Sequence, residues 1–136
     1  MIEHQVKMKN SILVIEDNPD IRENTAELLE LAGYKTFMAE NGKKGVEMAE
    51  LQKPSLIICD IMMPELDGYG VLYLLRKNPQ TEKIPFIFLS AKSAQNNFRK
   101  EIAMQPDDYI SKPYEEKELL HAVDISLKKV AQQHTA

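Results

Sequence analysis

The chain has 136 residues, 43% hydrophobic and 28% charged, with a formal net charge of −4. That length suits one domain with a layered core, and the mild acidity argues against a nucleic-acid surface, which needs clustered lysine and arginine. One cysteine excludes a disulfide framework, no apolar run approaches the roughly 20 residues of a membrane span, and the polar first ten residues lack a signal-peptide core, so a cytoplasmic protein without membrane contact is expected.

Residues 1-10 read as a polar N-terminal extension. Ile12-Leu13-Val14-Ile15 is a short apolar run of the kind that is buried on both faces of a parallel sheet, and it ends on Glu16-Asp17. Asn18-Pro19 then opens a helix, asparagine at the N-cap and proline at the first helical position. Ile21, Thr25, Leu28, Leu29 and Ala32 follow at helical spacing until Gly33 stops the run. Tyr34 to Ala39 is a weaker strand suited to an edge. Asn41-Gly42 opens a second helix with Val46 and Ala49 inward. Ser55 to Cys59 is a third strand running into Asp60. Pro64-Glu65-Leu66-Asp67-Gly68 makes a turn into a third helix with Val71, Leu72 and Leu75 on its buried stripe, and Asp67 suits a helix cap.

Pro85 starts a fourth strand, Phe86-Ile87-Phe88-Leu89, which ends on Ser90. Residues 94 to 104 resemble a short, poorly apolar fourth helix. Asp107 and Asp108 read as a solvated loop before a last strand, Asp108 to Ser111, that ends at Lys112. A long final helix carries Leu119, Leu120, Val123, Leu127 and Val130 on one face, and residues 131-136 read as a frayed C-terminal tail. Five strands alternating with five helices imply right-handed crossovers and a doubly wound α/β sandwich.

In such sheets the binding crevice lies at the carboxyl ends of the strands. Glu16, Asp17, Asp60, Ser90 and Lys112 are therefore expected to converge. Carboxylate oxygens suit Mg²⁺, an ammonium and a hydroxyl suit phosphoryl oxygens, and a carboxylate can attack phosphorus to give an acyl phosphate. Cys59, inside a buried strand, reads as a small core hydrophobe.

The segments Leu13-Val14-Ile15-Glu16-Asp17-Asn18, Cys59-Asp60-Ile61-Met62-Met63-Pro64, Leu89-Ser90-Ala91-Lys92 and Asp108-Tyr109-Ile110-Ser111-Lys112-Pro113 together resemble the receiver domain of two-component response regulators, over residues 11-130. The resemblance implies a flavodoxin-like fold with strand order 2-1-3-4-5. It implies that Asp60 accepts a phosphoryl group from a histidine kinase or phosphotransfer protein. Asp17, Asp60 and the Met62 backbone carbonyl would ligate Mg²⁺, with Glu16 reaching it through water. Ser90 would move toward the phosphate and Tyr109 would turn inward behind it, reshaping the surface of the fourth helix, fifth strand and fifth helix for a downstream protein or output domain. Such a protein is a switch rather than a turnover enzyme, with at most self-phosphorylation and autodephosphorylation, and is monomeric or a weak phosphorylation-dependent dimer.

Three departures stand out. Glu16 replaces the more usual aspartate, Gln105-Pro106 stands where Gly-Ala commonly ends the fourth helix, and Ala122 replaces a basic residue frequent in DNA-binding regulators of the winged-helix type. A phosphatase of the haloacid dehalogenase type also uses an aspartate nucleophile, but it wants a second aspartate where Met62 stands. A serine hydrolase would need glycines around Ser90. A receiver-like scaffold that is never phosphorylated is a further alternative, which intact Asp17, Asp60 and Lys112 disfavour.

Overall fold

The computed structural model describes residues 10–91 and 104–135, with side chains to residue 131. Strands β1 (Ser11–Ile15), β2 (Lys35–Ala39), β3 (Leu56–Asp60), β4 (Phe86–Ala91) and β5 (Asp108–Lys112) alternate with helices α1 (Pro19–Leu31), α2 (Gly42–Gln52), α3 (Gly68–Lys77) and α4 (Glu116–Thr135). The five strands form one parallel sheet in the order β2-β1-β3-β4-β5. Four helices are present among the described residues; residues 94 to 103 of the helix expected over residues 94 to 104 lie outside them, as does Lys92.

Strand alternation builds two cores. Leu13, Ile15, Ile57, Cys59, Phe86 and Phe88 point to one face and meet Ala49 of α2 and Val71, Leu72 and Leu75 of α3. Ile12, Val14, Ile58, Ile87, Leu89 and Ile110 point to the other and meet Leu29 of α1 and Leu119 and Val123 of α4. This two-sided burial is why the strands read as unbroken apolar runs.

Local signals fix the helix starts. The Asn18 side chain accepts hydrogen bonds from the backbone of Asp20 and Ile21, ahead of Pro19. Asn41 caps α2 through Lys44 N–H, and Asp67 caps α3 through Gly70 N–H. Gly33, at φ 103°, turns the chain out of α1 toward β2.

Two expectations need correction. Asp107 is not merely a solvated loop residue: its Oδ2 accepts from Phe86 N–H at 2.7 Å and from Arg76 Nη2 at 3.0 Å, so it ties the start of β4 to α3. Asp108 is the first residue of β5. Of the segment expected to fray, the residues up to Thr135 are helical instead, as the end of α4, and residue 136 lies outside the described residues.

Gly68 places α3 against the site. A Cβ there would stand 2.6 Å from the Asp60 carbonyl oxygen and 2.8 Å from Ile61 Cα, both backbone atoms. At Gly70 the first obstacle is the end of the Leu66 side chain, which can move. Gly68→Ala should therefore cost about 2 kcal/mol, in the range of overpacked cores. Gly70→Ala should be neutral or gain up to about 1 kcal/mol of helix propensity. Chemical denaturation of both variants checks this, and equal stabilities would contradict the close-approach role of Gly68.

Candidate functional site

The register brings the acids together. Ile15 of β1 lies beside Cys59 of β3, so the next residues, Glu16 and Asp60, are neighbours at the carboxyl ends of their strands. One carboxylate oxygen from each of Glu16, Asp17 and Asp60 lies within 4.8 Å of the others. Glu16 and Asp60 are buried and Asp17 is exposed. From the end of β5, Lys112 reaches across β4, its Nζ donating to Glu16 Oε1 and Asp60 Oδ1, each at 3.1 Å. The Lys112–Pro113 peptide bond is cis.

Ser90, on β4 between these strands, is 1% exposed, and its Oγ has no hydrogen-bond partner among the described residues. Such an orphaned buried hydroxyl carries a desolvation cost unless a further ligand completes it. Glu16, Asp17 and Lys112 thus gather around Asp60 directly, and Ser90 follows Leu89, the residue that Asp60 pairs with on β4. The Met62 side chain is 70% exposed at the rim. Tyr109 is not gathered into the crevice in this structure. Its ring packs on Phe88 at 5.9 Å and its hydroxyl donates to Gln105 Oε1 at 3.0 Å.

The electrostatics follow from crowding. Burial, and then the adjacent Asp60 carboxylate, push the Glu16 carboxyl up to about 7, against the Asn18 N–H bond and the pull of Lys112. For Lys112, burial acts to lower the ammonium, but the neighbouring Asp60 and Glu16 carboxylates outweigh it and the net shift is upward. Cys59 is fully buried, burial raises its thiol well above the usual range, and its Sγ donates to the Asp60 carbonyl, so it serves as core rather than nucleophile.

The Glu16 shift has a pH consequence. Its folded value lies above the ordinary 4.5, so the stability it contributes is complete below about 4.5 and is lost as pH rises through about 7. The metal-free protein should lose stability between about pH 4.5 and pH 7 from this source, and Mg²⁺, which competes with the proton, should stabilise it more at the higher pH. Thermal unfolding with and without Mg²⁺ at both pH values reads this directly. A Mg²⁺-induced shift independent of pH would contradict it.

Sequence reasoning missed several supports. Asn18 N–H donates to Glu16 Oε2 at 3.2 Å, so the helix cap also holds an acid. Arg22 Nη1 donates to the Glu16 carbonyl at 2.9 Å. The Tyr114 hydroxyl, two residues past Lys112, shares a hydrogen bond with the buried Thr25 hydroxyl of α1. No periodicity marks these links; only the position of Arg22 one turn inside α1 gives any hint.

The donor set fits a hard divalent cation: three carboxylates meet in one place, among the described residues one ammonium pairs with them, and oxygen ligands suit Mg²⁺. Among the described residues no helix is long and apolar enough to cross a membrane.

Comparison with known proteins agrees with this geometry. The response regulator receiver domain family matches residues 12–124. The phosphate regulon transcriptional regulatory protein PhoB of Pseudomonas aeruginosa is 34% identical over 119 residues, 88% of this chain and 52% of that protein. The signal receiver domain of a signal transduction histidine kinase from Syntrophus aciditrophicus is similar with a TM-score of 0.81 at 35% identity, over 89% of this chain and 92% of that one. A sensor histidine kinase receiver domain from Pseudomonas aeruginosa, described with a magnesium ion coordinated in its active site cleft, gives a TM-score of 0.80 at 28% identity, over 88% of this chain and 98% of that one. The chain spans about half the length of the curated transcriptional regulators it matches.

Proposed function

This chain belongs to the response regulator receiver domain family, and on that premise we propose that residues 11-130 form a Mg²⁺-dependent phospho-accepting switch with Asp60 as the acceptor. The observation that carries the proposal is the joint placement, at adjacent strand ends, of Asp60, Lys112 and the Ser90 hydroxyl, which has no hydrogen-bond partner among the described residues.

Asp60 Oδ attacks the phosphorus of a phosphohistidine on a histidine kinase or phosphotransfer protein. The P–N bond breaks, the imidazole departs with its electron pair and takes up a proton, and Asp60 becomes an acyl phosphate. Asp17, Asp60 and the Met62 carbonyl would hold Mg²⁺, with Glu16 acting through water because its two oxygens already serve Lys112 and Asn18. When bound, the cation neutralises charge on the transferring group. Lys112 holds a phosphoryl oxygen, and Ser90 donates the hydrogen bond it otherwise lacks. A mostly apolar hollow lined by Ile21, Asn24, Pro113 and Tyr114 adjoins Lys112 and offers the phosphodonor a seat.

The output follows from strand alternation. Ser90 lies two residues from Phe88, and Phe88 pairs with Tyr109 of β5, so all three share one face. A phosphoryl group that draws Ser90 inward frees room for the Tyr109 ring to follow. That movement reshapes the surface of β5 and α4 for a downstream protein or output domain. The phosphate, with a charge of about −1.5 to −2, biases an existing equilibrium by its different contacts in the two states. We place this switch in the cytoplasm, acting through protein contacts as a monomer or weak phosphorylation-dependent dimer.

Incubation with Mg²⁺ and acetyl phosphate, followed by intact-mass measurement, tests the proposal. The expected product carries one added phosphoryl group, stable in acid, labile in base, and located to the peptide containing Asp60. Turnover of phosphate esters without an adduct would indicate an enzyme. Absence of both would indicate a scaffold.

A further inference from the structure

Asp17 is the acid with the least support. It is exposed, and among the described residues its carboxylate accepts no hydrogen bond and joins no ion pair. Its aim is therefore set by its main chain alone, and that main chain is pinned on both sides by one residue of α1. Arg22 Nη1 donates to the carbonyl of Glu16, immediately before Asp17, at 2.9 Å. The Arg22 backbone N–H donates to the carbonyl of Asn18, immediately after it, also at 2.9 Å. The Glu16 N–H is fixed in turn to the Ala39 carbonyl of β2 at 3.1 Å.

A peptide unit is planar, so holding the Glu16 carbonyl fixes the plane from which the Asp17 Cα and its side chain project. We propose that Arg22 is a positioning residue for the divalent cation: through the Glu16 carbonyl it aims Asp17 into the crevice. This assignment rests on the cation-binding part of the proposed function. It goes beyond a generic tie between α1 and β1, because the carbonyl engaged belongs to the peptide joining the two acids.

The sign of the effect separates positioning from charge. Arg22 is a cation near an acidic site, so removing its charge alone would tighten Mg²⁺ binding. Loss of positioning would weaken it.

Calorimetric titration of the full chain with Mg²⁺ alone, for the natural protein, Arg22→Met and Arg22→Lys, distinguishes the two. Arg22→Met should bind about tenfold more weakly, as expected for a group that orients a ligand. Arg22→Lys, which keeps a donor, should recover part of the loss. Unchanged or tighter binding in Arg22→Met, even with a lowered melting temperature, would reduce Arg22 to a structural tie and overturn the proposal. If Arg22→Met does not fold, Arg22→Lys carries the test: a Mg²⁺ affinity equal to that of the natural protein would overturn the proposal, and a weaker one supports it. If the natural protein binds Mg²⁺ but gains no phosphoryl group, the proposed function fails while the affinity ratio still judges Arg22. If it binds no Mg²⁺ at millimolar concentration, both fall.

Discussion

Exchanging Asp60 for asparagine is expected to abolish phosphoryl acceptance and, at the same time, to raise the stability of the metal-free protein. The amide retains an oxygen that can accept from Lys112 but offers phosphorus no carboxylate nucleophile. Asp60 faces Glu16 and Asp17 with carboxylate oxygens within 4.8 Å. At about 5 Å and an effective dielectric near 20, each such pair repels by roughly 3 kcal/mol, less for the exposed Asp17. The attraction to Lys112 is of the order of 4 kcal/mol on the same scale and opposes this. Desolvation of a carboxylate that is nearly fully buried costs several kcal/mol more, which decides the sign. Asp60→Asn should thus gain about 2 kcal/mol without metal, and added Mg²⁺ should stabilise the variant less than the natural protein. Denaturant titrations with and without Mg²⁺ read both effects. A variant less stable than the natural protein would mean that Lys112 overcompensates the acids.

Lys112→Met should act in the opposite direction. Glu16 and Asp60 have side chains 1% and 4% exposed, and Lys112 pairs with both. Removing one partner of a buried pair typically costs about 3–5 kcal/mol, because the remaining charge is left uncompensated. Lys112 is 20% exposed on its own side and Glu16 can take up a proton, so a loss of about 2–3 kcal/mol near neutral pH is expected. Lys112 is one of the influences that hold Glu16 down, so without it Glu16 keeps its proton to higher pH. The folded variant then binds more protons than its unfolded chain over a wider range, and its deficit should grow from about pH 6 to pH 8. Acyl phosphate formation should slow by about 100-fold, the usual cost of removing one donor aimed at developing charge. Denaturation across that pH range, with stopped-time phosphorylation by acetyl phosphate, measures both. A variant as stable as the natural protein at every pH would show that Lys112 is surface charge.

Much of this site was legible in the sequence because parallel strands make it so. Each apolar run names a strand, and the residue that breaks the run names a position at its carboxyl end. Glu16, Asp60, Ser90 and Lys112 were readable on that basis although up to 96 positions separate Lys112 from Glu16. The caps Asn18, Asn41 and Asp67 were readable because their effect is local.

What escaped depends on which elements pack together. Asp107 looks like one of two solvated acids until Phe86 and Arg76 are placed beside it. Gly68 looks like an ordinary turn glycine until the Asp60 backbone is found 2.6 Å from where its Cβ would lie. Arg22 looks like surface charge on α1 until the Glu16 carbonyl comes within reach. Ala122 is 6% exposed and is part of the core face of α4, which its sequence position alone does not reveal. The Tyr109 hydroxyl donates to Gln105, a link that the resemblance to receiver domains does not foretell.

The most direct measurement is a crystal structure of the protein with Mg²⁺ and a beryllium fluoride mimic of the phosphoryl group. The mimic should bond Asp60 Oδ, with the Lys112 ammonium and the Ser90 hydroxyl each donating to a fluoride and Mg²⁺ held by Asp17 and Asp60. A mimic bound elsewhere, or bound to Asp60 with Lys112 still tied only to Glu16 and Ser90 still without a partner, would contradict the convergent site.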